Sequence, residues 1–249
     1  MEDPIHQFEI INYFSLGKIG SVNFAFTNSA LYMGIAVGLT AALMLGATAG
    51  RQLVPGRMQS IAELVFEFVE NMIRNSIGEG GMRFFPLVFS LFMFLLVSNL
   101  VGLVPYNFTV ASHIIITVAL ALLVFFTVLI YGFWKNGLRF FNVVVPKGVP
   151  GYILPAIVFI EVFSFLVRPL SHSVRLFANM LAGHITLKVF AGFVTMLGAF
   201  GFVGWVGATL PLALTVALTA LELLVAFLQA YVFTILTCIY LNDAFHPGH

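Results

Sequence analysis

The stretch EVFSFLVRPLSHSVRLFANMLAGHITLK, residues 161–188, decides the architecture of this chain. It is apolar along most of its length, yet it carries Glu161, Arg168, His172, Arg175, His184 and Lys188. An arginine or lysine at the centre of a bilayer costs roughly 2.5 to 3.5 kcal/mol even on lenient insertion scales. A membrane helix that keeps several such groups is therefore predicted to belong to an ion pathway.

The composition of the whole chain indicates a membrane protein. Of its 249 residues, 61% are hydrophobic and only 8% are charged, and the mean hydropathy is +1.06. These values lie outside the range of soluble globular proteins. The net charge is +1 and no basic run is paired with exposed aromatic residues, so nucleic acid is not expected as a partner.

Five apolar segments are long enough to cross a ~30 Å hydrocarbon core, which takes about 20 helical residues. They are residues 30–50, 84–104, 112–134, 152–198 and 209–240. The second and third segments are joined by a short uncharged link and are predicted to form an antiparallel hairpin. The fourth would reach nearly 70 Å as a helix, so it must be tilted, bent or split, and Pro169 offers a place for a kink.

Residues 57–78 have the pattern of an amphipathic helix that lies along the membrane surface, because apolar residues recur at helical spacing opposite a stripe of glutamates. Packing of this helix against a soluble partner subunit is the alternative. Residues 1–28 are polar and aromatic, which indicates an extramembrane segment with a short interfacial helix or hairpin.

These segments together predict an all-α membrane protein that forms one domain over residues 1–249. It has five transmembrane helices, one interfacial amphipathic helix, and two long tilted helices in an antiparallel hairpin. Lysine and arginine concentrate in the links at residues 51–83 and 135–147, and such links face the cytoplasm. The N-terminus is then outside and the C-terminus is cytoplasmic.

The charged stretch presents two polar surfaces when its residues are placed about 100° apart around a helix. One surface is a stripe about 60° wide that contains Glu161, Arg168, His172, Arg175 and Asn179. His184 and Lys188 lie nearly opposite this stripe. The helix is therefore expected to meet two separate polar environments.

The last helix is expected to return antiparallel from a turn near residue 203, so residues whose numbers sum to about 406 should share a depth. Arg175 is then predicted to meet Gln229, and His184 to meet Glu222. This arrangement suggests two polar openings, one to each side of the membrane, with Arg175 between them. A guanidinium keeps its proton at any physiological pH, so Arg175 would attract a carboxylate and block a direct proton leak.

Structural roles compete with the functional ones for the residues of the first surface. Glu161 and Arg168 could form a structural ion pair or contact lipid headgroups, and His172 could be a satisfied interfacial histidine. Lys188 could extend its ammonium group outward to the membrane surface. None of these residues is assigned to function by its position alone.

The second set of alternatives concerns the residues nearest the centre of the predicted pathway. His184 and Glu222 could be a buried structural pair or a titratable proton relay. Arg175 has no acidic residue in the neighbouring turns, so a carboxylate on another chain would satisfy it. The spacing of the histidines does not support a metal site, and no cofactor is expected.

Two motifs resemble a known family. The segment RLFANMLAGH, residues 175–184, followed by ELLVAFLQAYVFTIL, residues 222–236, closely resembles subunit a of the F-type ATP synthase membrane sector. The resemblance covers essentially the whole chain. It implies a proton-conducting stator subunit that is not catalytic by itself and that provides two offset half-channels to a rotating ring of subunit c. Proton flow would thereby be coupled to ATP synthesis.

The resemblance also implies partners and a membrane. The partners are the ring of subunit c, the peripheral stalk subunit b, the remainder of the ATP synthase and membrane lipids. The membrane is an energy-transducing one, either the bacterial inner membrane, which we favour, or the mitochondrial inner membrane. Protons are favoured over sodium ions because a histidine and a glutamate suit a proton relay.

The resemblance assigns roles to matching residues near the centre of the chain's two long helices. Arg175 matches the family's essential arginine, which faces the ion-carrying carboxylate of the ring. Asn179 and Gln229 match polar positions close to that arginine. These roles are implied by the family and not by the spacing of the residues.

Other matches concern the two half-channels. His184 and Glu222 match the interacting pair of the outer half-channel, with acid and histidine exchanged relative to some members of the family. Glu161 matches the acidic position of the inner half-channel. Further candidates for the channel lining are Ser171, His172 and Lys188.

A secondary transporter that binds an anionic substrate at Arg175 is the alternative function. It predicts a self-contained substrate site and usually an internal repeat, and the sequence has no visible repeat. A structural membrane scaffold is a further alternative, but it leaves the embedded charges unexplained.

Overall fold

The computed structural model describes residues 10–19, 22–49, 54–104, 107–137, 140 and 152–245. The strands are β1 (Asn12–Ile19) and β2 (Val22–Thr27), and the helices are α1 (Asn28–Thr48), α2 (Arg57–Ile77), α3 (Phe85–Gly102), α4 (Ile114–Asn136), α5 (Leu154–Gly198) and α6 (Gly201–Phe245). Short 3₁₀ turns at Glu79–Phe84 and Val110–Ser112 precede α3 and α4. The link at residues 135–147, rich in lysine and arginine, lies mostly outside the described residues. Residues 1–9 and 246–249 also lie outside them.

Five of these helices are long and apolar enough to cross a membrane: α1, α3 with its preceding turn, α4, α5 and α6. The predicted all-helical membrane architecture and the number of spans are therefore confirmed. Lipid offers backbone groups no hydrogen-bond partners, so a long apolar segment satisfies them internally as a helix. This constraint is why hydropathy places the first four spans to within a few residues.

The segment before α1 forms an antiparallel β-hairpin from β1 and β2, with register shifts between Asn12 and Phe14 and between Ser15 and Gly17. The sequence predicted either a short helix or a hairpin in this segment, and the structure has the hairpin. Asn28 joins the hairpin to α1, because its backbone N–H donates to the carbonyl of Ile11 at 3.1 Å and its side-chain oxygen accepts from the backbone N–H of Ser29 at 2.9 Å.

Helix α2 is amphipathic as predicted, and its buried side is formed by Ala62, Val69, Met72, Ile73 and Ile77. It ends at Gly78, whose φ of +87° is readily adopted by glycine and whose N–H donates to the carbonyl of Arg74 at 3.0 Å. Met58, Ile61 and Leu64 near its start are exposed. Its placement along a membrane surface stays a prediction.

Helix α5 is continuous from Leu154 to Gly198, with Pro169 inside it. The segment was predicted to be tilted, bent or split so that it fits the membrane. Because α5 is continuous, the segment is not split. Proline has no N–H to donate to the preceding turn, so Pro169 removes one hydrogen bond from α5 without ending it.

The predicted bounds of the last helix, 209–240, are wrong at both ends, since α6 runs from Gly201 to Phe245. The chain turns at residues 199–200. Of the glycines near this turn, only Gly201 has a positive φ, +73°. Gly204 and Gly207, which follow the turn predicted near residue 203, are helical. A glycine costs only about 1 kcal/mol relative to alanine inside a helix, and an apolar environment demands paired backbone groups, so the helix continues through both.

Contacts divide the chain into two compact units. The first unit contains residues through 42, then Phe94–His113 and Leu176–Gln229. Its core includes the buried side chains of Phe108, Leu176 and Met180. Within it, α5 and α6 run antiparallel on either side of the turn at residues 199–200.

The second unit contains Leu43–Met93, Ile114–Arg175 and the chain from Ala230 onward. Its core includes the fully buried side chains of Ile73, Phe92 and Phe233. Aromatic rings line much of its interior, including the pair Phe68 and Phe92, whose ring centroids are 5.6 Å apart.

Side chains of α4 cap the C-terminal end of α6 in the second unit. Asn136 Nδ2 donates to the carbonyl of Ala244 at 2.6 Å, and Lys135 Nζ donates to the carbonyl of Phe245 at 3.3 Å. The Lys135 ammonium group also lies 4.1 Å from the centroid of the Phe245 ring. The last carbonyls of a helix have no partners within it, and the negative end of the helix dipole favours a cation there.

We expect Asn136→Ala to destabilise the second unit by about 1 kcal/mol, because the carbonyl of Ala244 loses its donor in a partly buried position. Thermal unfolding of the purified protein in detergent would show the change as a lower midpoint. Thr127→Val is the matched control, since the Thr127 hydroxyl is exposed and bonds only to the carbonyl of Leu123 in its own helix. Equal midpoints for the two variants would contradict the capping role.

Candidate functional site

The polar residues of the two long helices form two clusters, one in each compact unit. The first-unit cluster consists of Thr109, Asn179, His184, Glu222 and Gln229. The second-unit cluster consists of Glu161, Arg168, His172, Tyr240 and Asp243. Arg175, the last residue of α5 in the second unit, interacts electrostatically with His172 and Tyr240 of the second-unit cluster.

The first-unit cluster is built around His184 and Glu222. The Nδ1 atom of His184 lies 3.8 Å from Oε1 of Glu222, and both side chains are buried, at 9% and 5% exposure. The predicted proximity of these two residues is confirmed. Neither carboxylate oxygen of Glu222 has a hydrogen-bond partner within the described residues.

Gly183 allows this approach of α5 and α6. A Cβ atom at Gly183 would collide with the carboxylate of Glu222. A residue with any side chain would have to displace the carboxylate or separate the helices. Glycine at this position therefore determines how closely Glu222 approaches the ring of His184.

Thr109 completes the first-unit cluster, and the sequence did not single it out. It lies in the link between α3 and α4, is fully buried, and places its hydroxyl oxygen 3.0 Å from Nε2 of His184. A neutral residue in a link gives no signal of charge or periodicity. Only its position next to a buried histidine marks it as part of the site.

Asn179 and Gln229 form a second polar contact in the same unit, where Nδ2 of Asn179 donates to Oε1 of Gln229 at 3.0 Å. Gln229 is buried and Asn179 is exposed on the surface of α5. The amide of Asn99 donates to the carbonyl of Ala226 at 3.4 Å, which ties α3 to α6 one turn away. The predicted meeting of Arg175 with Gln229 stays a prediction.

Arg168 is the centre of the second-unit cluster. Its Nη1 donates to Oδ2 of Asp243 at 2.6 Å, whereas its Nη2 lies 3.9 Å from Oε1 of Glu161. The guanidinium also lies 5.1 Å from the ring centroid of Tyr240. The structural ion pair considered for Glu161 and Arg168 is present, but Asp243 makes the shorter contact.

Asp243 was missed because the last helix was predicted to end at residue 240, three residues before it. Continuing the helix to Phe245 would have put Asp243 one turn after Tyr240 and close to the depth of Arg168. The same rule for residues at equal depth that related His184 to Glu222 would therefore have related Asp243 to Arg168. The error in the predicted end of the last helix prevented this prediction.

His172 is buried inside the second unit. Its ring stands edge-on to Phe233, with centroids 3.9 Å apart, and its Nε2 has no hydrogen-bond partner among the residues described. It lines a small cleft together with Arg168 and Tyr240. On the next residue, the hydroxyl of Ser173 lies 3.0 Å from that of Thr117.

Arg175 has neither an ion-pair partner nor a hydrogen-bond partner in the part of the chain that the structure describes, and its side chain is exposed. Ser171, one turn before it, and Asn179, one turn after it, are also exposed. Lys188 is half-buried one turn after His184 and interacts electrostatically with that ring. The arginine thus lies on an exposed strip of α5.

Metal binding is not indicated in the described ranges, because no three His, Cys, Asp or Glu side chains converge there. The arrangement offers different chemistry. A buried acid faces a buried imidazole, a second acid lies beside a paired arginine, and an exposed guanidinium has no counter-charge. Such groups can hold and transfer protons or attract an anion, and none forms a nucleophile with its activating base.

Comparison with known proteins gives matches over nearly the whole chain. The family model described as ATP synthase A chain matches residues 30–242. ATP synthase subunit a of Rhodopseudomonas palustris strain TIE-1 is 73% identical over 247 residues, 99% of each chain. The proteins of that name from Nitrobacter winogradskyi and Bradyrhizobium diazoefficiens are 72% and 69% identical, over 100% and 99% of each chain.

Proposed function

Because the chain belongs to the ATP synthase A chain family, we propose that it is the proton-conducting stator subunit of an F-type ATP synthase. It is an integral membrane protein, with five helices able to span a bilayer. The proposal is that it provides two offset half-channels to a rotating ring of subunit c and performs no ATP chemistry itself. Its location is the bacterial inner membrane, with the N-terminus outside and the C-terminus in the cytoplasm.

The exposed, unpaired guanidinium of Arg175 is the observation that carries this proposal. A permanent cation on an apolar membrane helix needs an anion, and the described part of the chain supplies none. A carboxylate on the ring would supply it. Since the guanidinium does not release its proton, it would hold the ring carboxylate as an anion without passing protons between the half-channels.

The first-unit cluster supports the outer half-channel. A proton would pass from the outside through Glu222 and His184 to a ring carboxylate, and the neutralised carboxylate could then rotate into lipid. This acid and imidazole are buried beside each other, with Nδ1 of His184 3.8 Å from Oε1 of Glu222, a separation that one bridging water could span in a relay. Asn179 and Gln229 would supply polar contacts close to Arg175.

The second-unit cluster supports the inner half-channel. Glu161 would receive the proton that the ring carboxylate releases after nearly a full turn, with Ser171 and His172 as further candidates for the lining. Each proton that crosses a potential of 100 mV releases about 2.3 kcal/mol, so several are needed for each ATP.

Other proposed partners are the peripheral stalk subunit b, the remainder of the ATP synthase and membrane lipids. The exposed apolar side chains of Met58, Ile61 and Leu64 on α2 are available to lipid or to a partner subunit. No cofactor is proposed.

Copurification combined with photo-crosslinking tests this function. A tagged chain extracted in mild detergent is expected to bring a ring of a small membrane subunit and a bound ATPase. A photoreactive residue at Ser171, on the exposed strip of α5, is expected to crosslink to the ring subunit. The same residue at Leu45, exposed on α1, serves as the control and is expected not to. An isolated chain that transports an anionic solute after reconstitution would contradict the proposal.

A further inference from the structure

We propose that Thr109 holds His184 in the tautomer that carries its hydrogen on Nε2, so that the lone pair of Nδ1 faces Glu222. Thr109 is then a positioning residue for proton transfer between the acid and the imidazole. The inference rests on the proposed function, because it assigns this role within the outer half-channel.

The position of Thr109 is tightly constrained. The residue is fully buried in the link between α3 and α4, and its hydroxyl oxygen lies 3.4 Å from the carbonyl oxygen of Gly102 and 3.0 Å from Nε2 of His184. A Cβ atom at Gly102 would lie 2.9 Å from Cγ2 of Thr109, so the link packs closely on the end of α3. The hydroxyl thus contacts one backbone carbonyl and one ring nitrogen.

The two partners of the Thr109 hydroxyl decide the direction of its hydrogen bonds. A hydroxyl has one hydrogen to donate and lone pairs that accept, whereas a carbonyl oxygen can only accept. The arrangement that satisfies both contacts of the hydroxyl gives its hydrogen to the carbonyl of Gly102 and lets its oxygen accept from Nε2–H of His184. In a neutral imidazole only one nitrogen carries hydrogen, so Nδ1 is unprotonated.

This tautomer suits transfer from Glu222. The Nδ1 lone pair faces Oε1 of Glu222, so a protonated carboxyl can give its proton to Nδ1. The products are a carboxylate and an imidazolium that keeps Nε2–H on Thr109. When the imidazolium then gives its Nδ1 proton through water towards the ring carboxylate, the neutral ring returns to the same tautomer, and Glu222 takes up a new proton from the outside. In the other tautomer Nδ1–H would point at the carboxyl group, and the ring would have no lone pair there to receive a proton.

Nδ1 of His184 and Oε1 of Glu222 are 3.8 Å apart, so a small movement must precede proton transfer. This separation is about 1 Å beyond hydrogen-bond distance, so transfer needs a rotation of the Glu222 side chain or one bridging water. No hydrogen bond in the described ranges holds either oxygen of Glu222 in place. The charged groups that face His184 there are Lys188 on α5 and Glu222 on α6, and the link contributes the uncharged Thr109.

Removal of the hydroxyl tests the positioning role in the assembled complex. Thr109→Val keeps the shape but lets the ring adopt either tautomer, so we expect proton uptake from the outside to fall by about tenfold or more. The conservative variant Thr109→Ser keeps the hydroxyl and is expected to restore most of the rate. The matched control is Thr237→Val, because among the described residues the buried Thr237 hydroxyl bonds only to the carbonyl of Phe233 in its own helix.

A direct measurement of the tautomer completes the test. Nitrogen-15 solid-state NMR of histidine-labelled complex, assigned with a His184→Gln variant and recorded where the ring is neutral, should show hydrogen on Nε2 in the native protein. Thr109→Val should show a mixture of tautomers. Hydrogen on Nδ1 in the native protein, or native rates in Thr109→Val, would overturn the inference. Native rates in His184→Gln as well would instead count against the proposed half-channel.

Discussion

Arg175→Ala is expected to abolish proton-driven ATP synthesis and to raise the passive proton permeability of the membrane. The guanidinium is exposed and unpaired within the described chain. Under the proposed function, its loss would leave the ring carboxylate without the cation that keeps it ionised between the half-channels. A carboxylate that stays protonated would not release its proton to the inner side. The measurement is ATP synthesis by membrane vesicles under an imposed gradient, with proton leak followed by a pH-sensitive dye.

Arg74→Ala is the control for the loss of an arginine. Arg74 lies outside the predicted spans, on α2, and hydrogen bonding to Glu70 raises its pKa, so it is a paired surface cation. Exposed ion pairs contribute little, and this variant should synthesise ATP at nearly the native rate. Arg175→Lys should not restore full activity, since an ammonium group cannot reproduce the planar fork of a guanidinium. Synthesis retained in Arg175→Ala would remove Arg175 from the mechanism.

Substitutions in the two clusters are expected to slow proton movement in different directions. Glu222→Gln and His184→Ala should slow uptake from the outside, and Glu161→Gln should slow release to the inside. Positioned acid–base groups typically contribute 10²–10⁴-fold to proton transfer, so losses of about tenfold or more should be measurable. Vesicles of known orientation, with a gradient imposed in either direction, would separate the two effects.

Glu63→Gln is the matched control for these variants, because it makes the same chemical change at an exposed carboxylate on α2. It should leave both directions of proton movement unchanged. If all three cluster variants gave native rates in both directions, Glu161, His184 and Glu222 would be structural residues. A loss in His184→Ala and Glu222→Gln alone would support the outer half-channel and remove Glu161 from the inner one.

The sequence predicted the spans, the position of the charged stretch within a membrane helix, and the contact of His184 with Glu222. Lipid forces apolar segments of this length into helices, so hydropathy places them well. The antiparallel return of the last helix then related His184 to Glu222 by simple counting. Residues whose numbers sum to about 406 were predicted to share a depth, and His184 and Glu222 do lie together. The turn itself is at residues 199–200 and not near 203.

Only the tertiary structure decided the partners of these charged groups. Thr109 lies 75 residues from His184, and Asp243 lies 75 residues from Arg168. Thr109 has neither a charge nor a periodic pattern to mark it, and the wrong end of the last helix hid Asp243. Both contacts join distant segments, so they depend on how the helices pack. The sequence by itself determined a membrane-embedded row of ionisable groups, and packing determined which of them are paired and which, like Arg175, remain exposed.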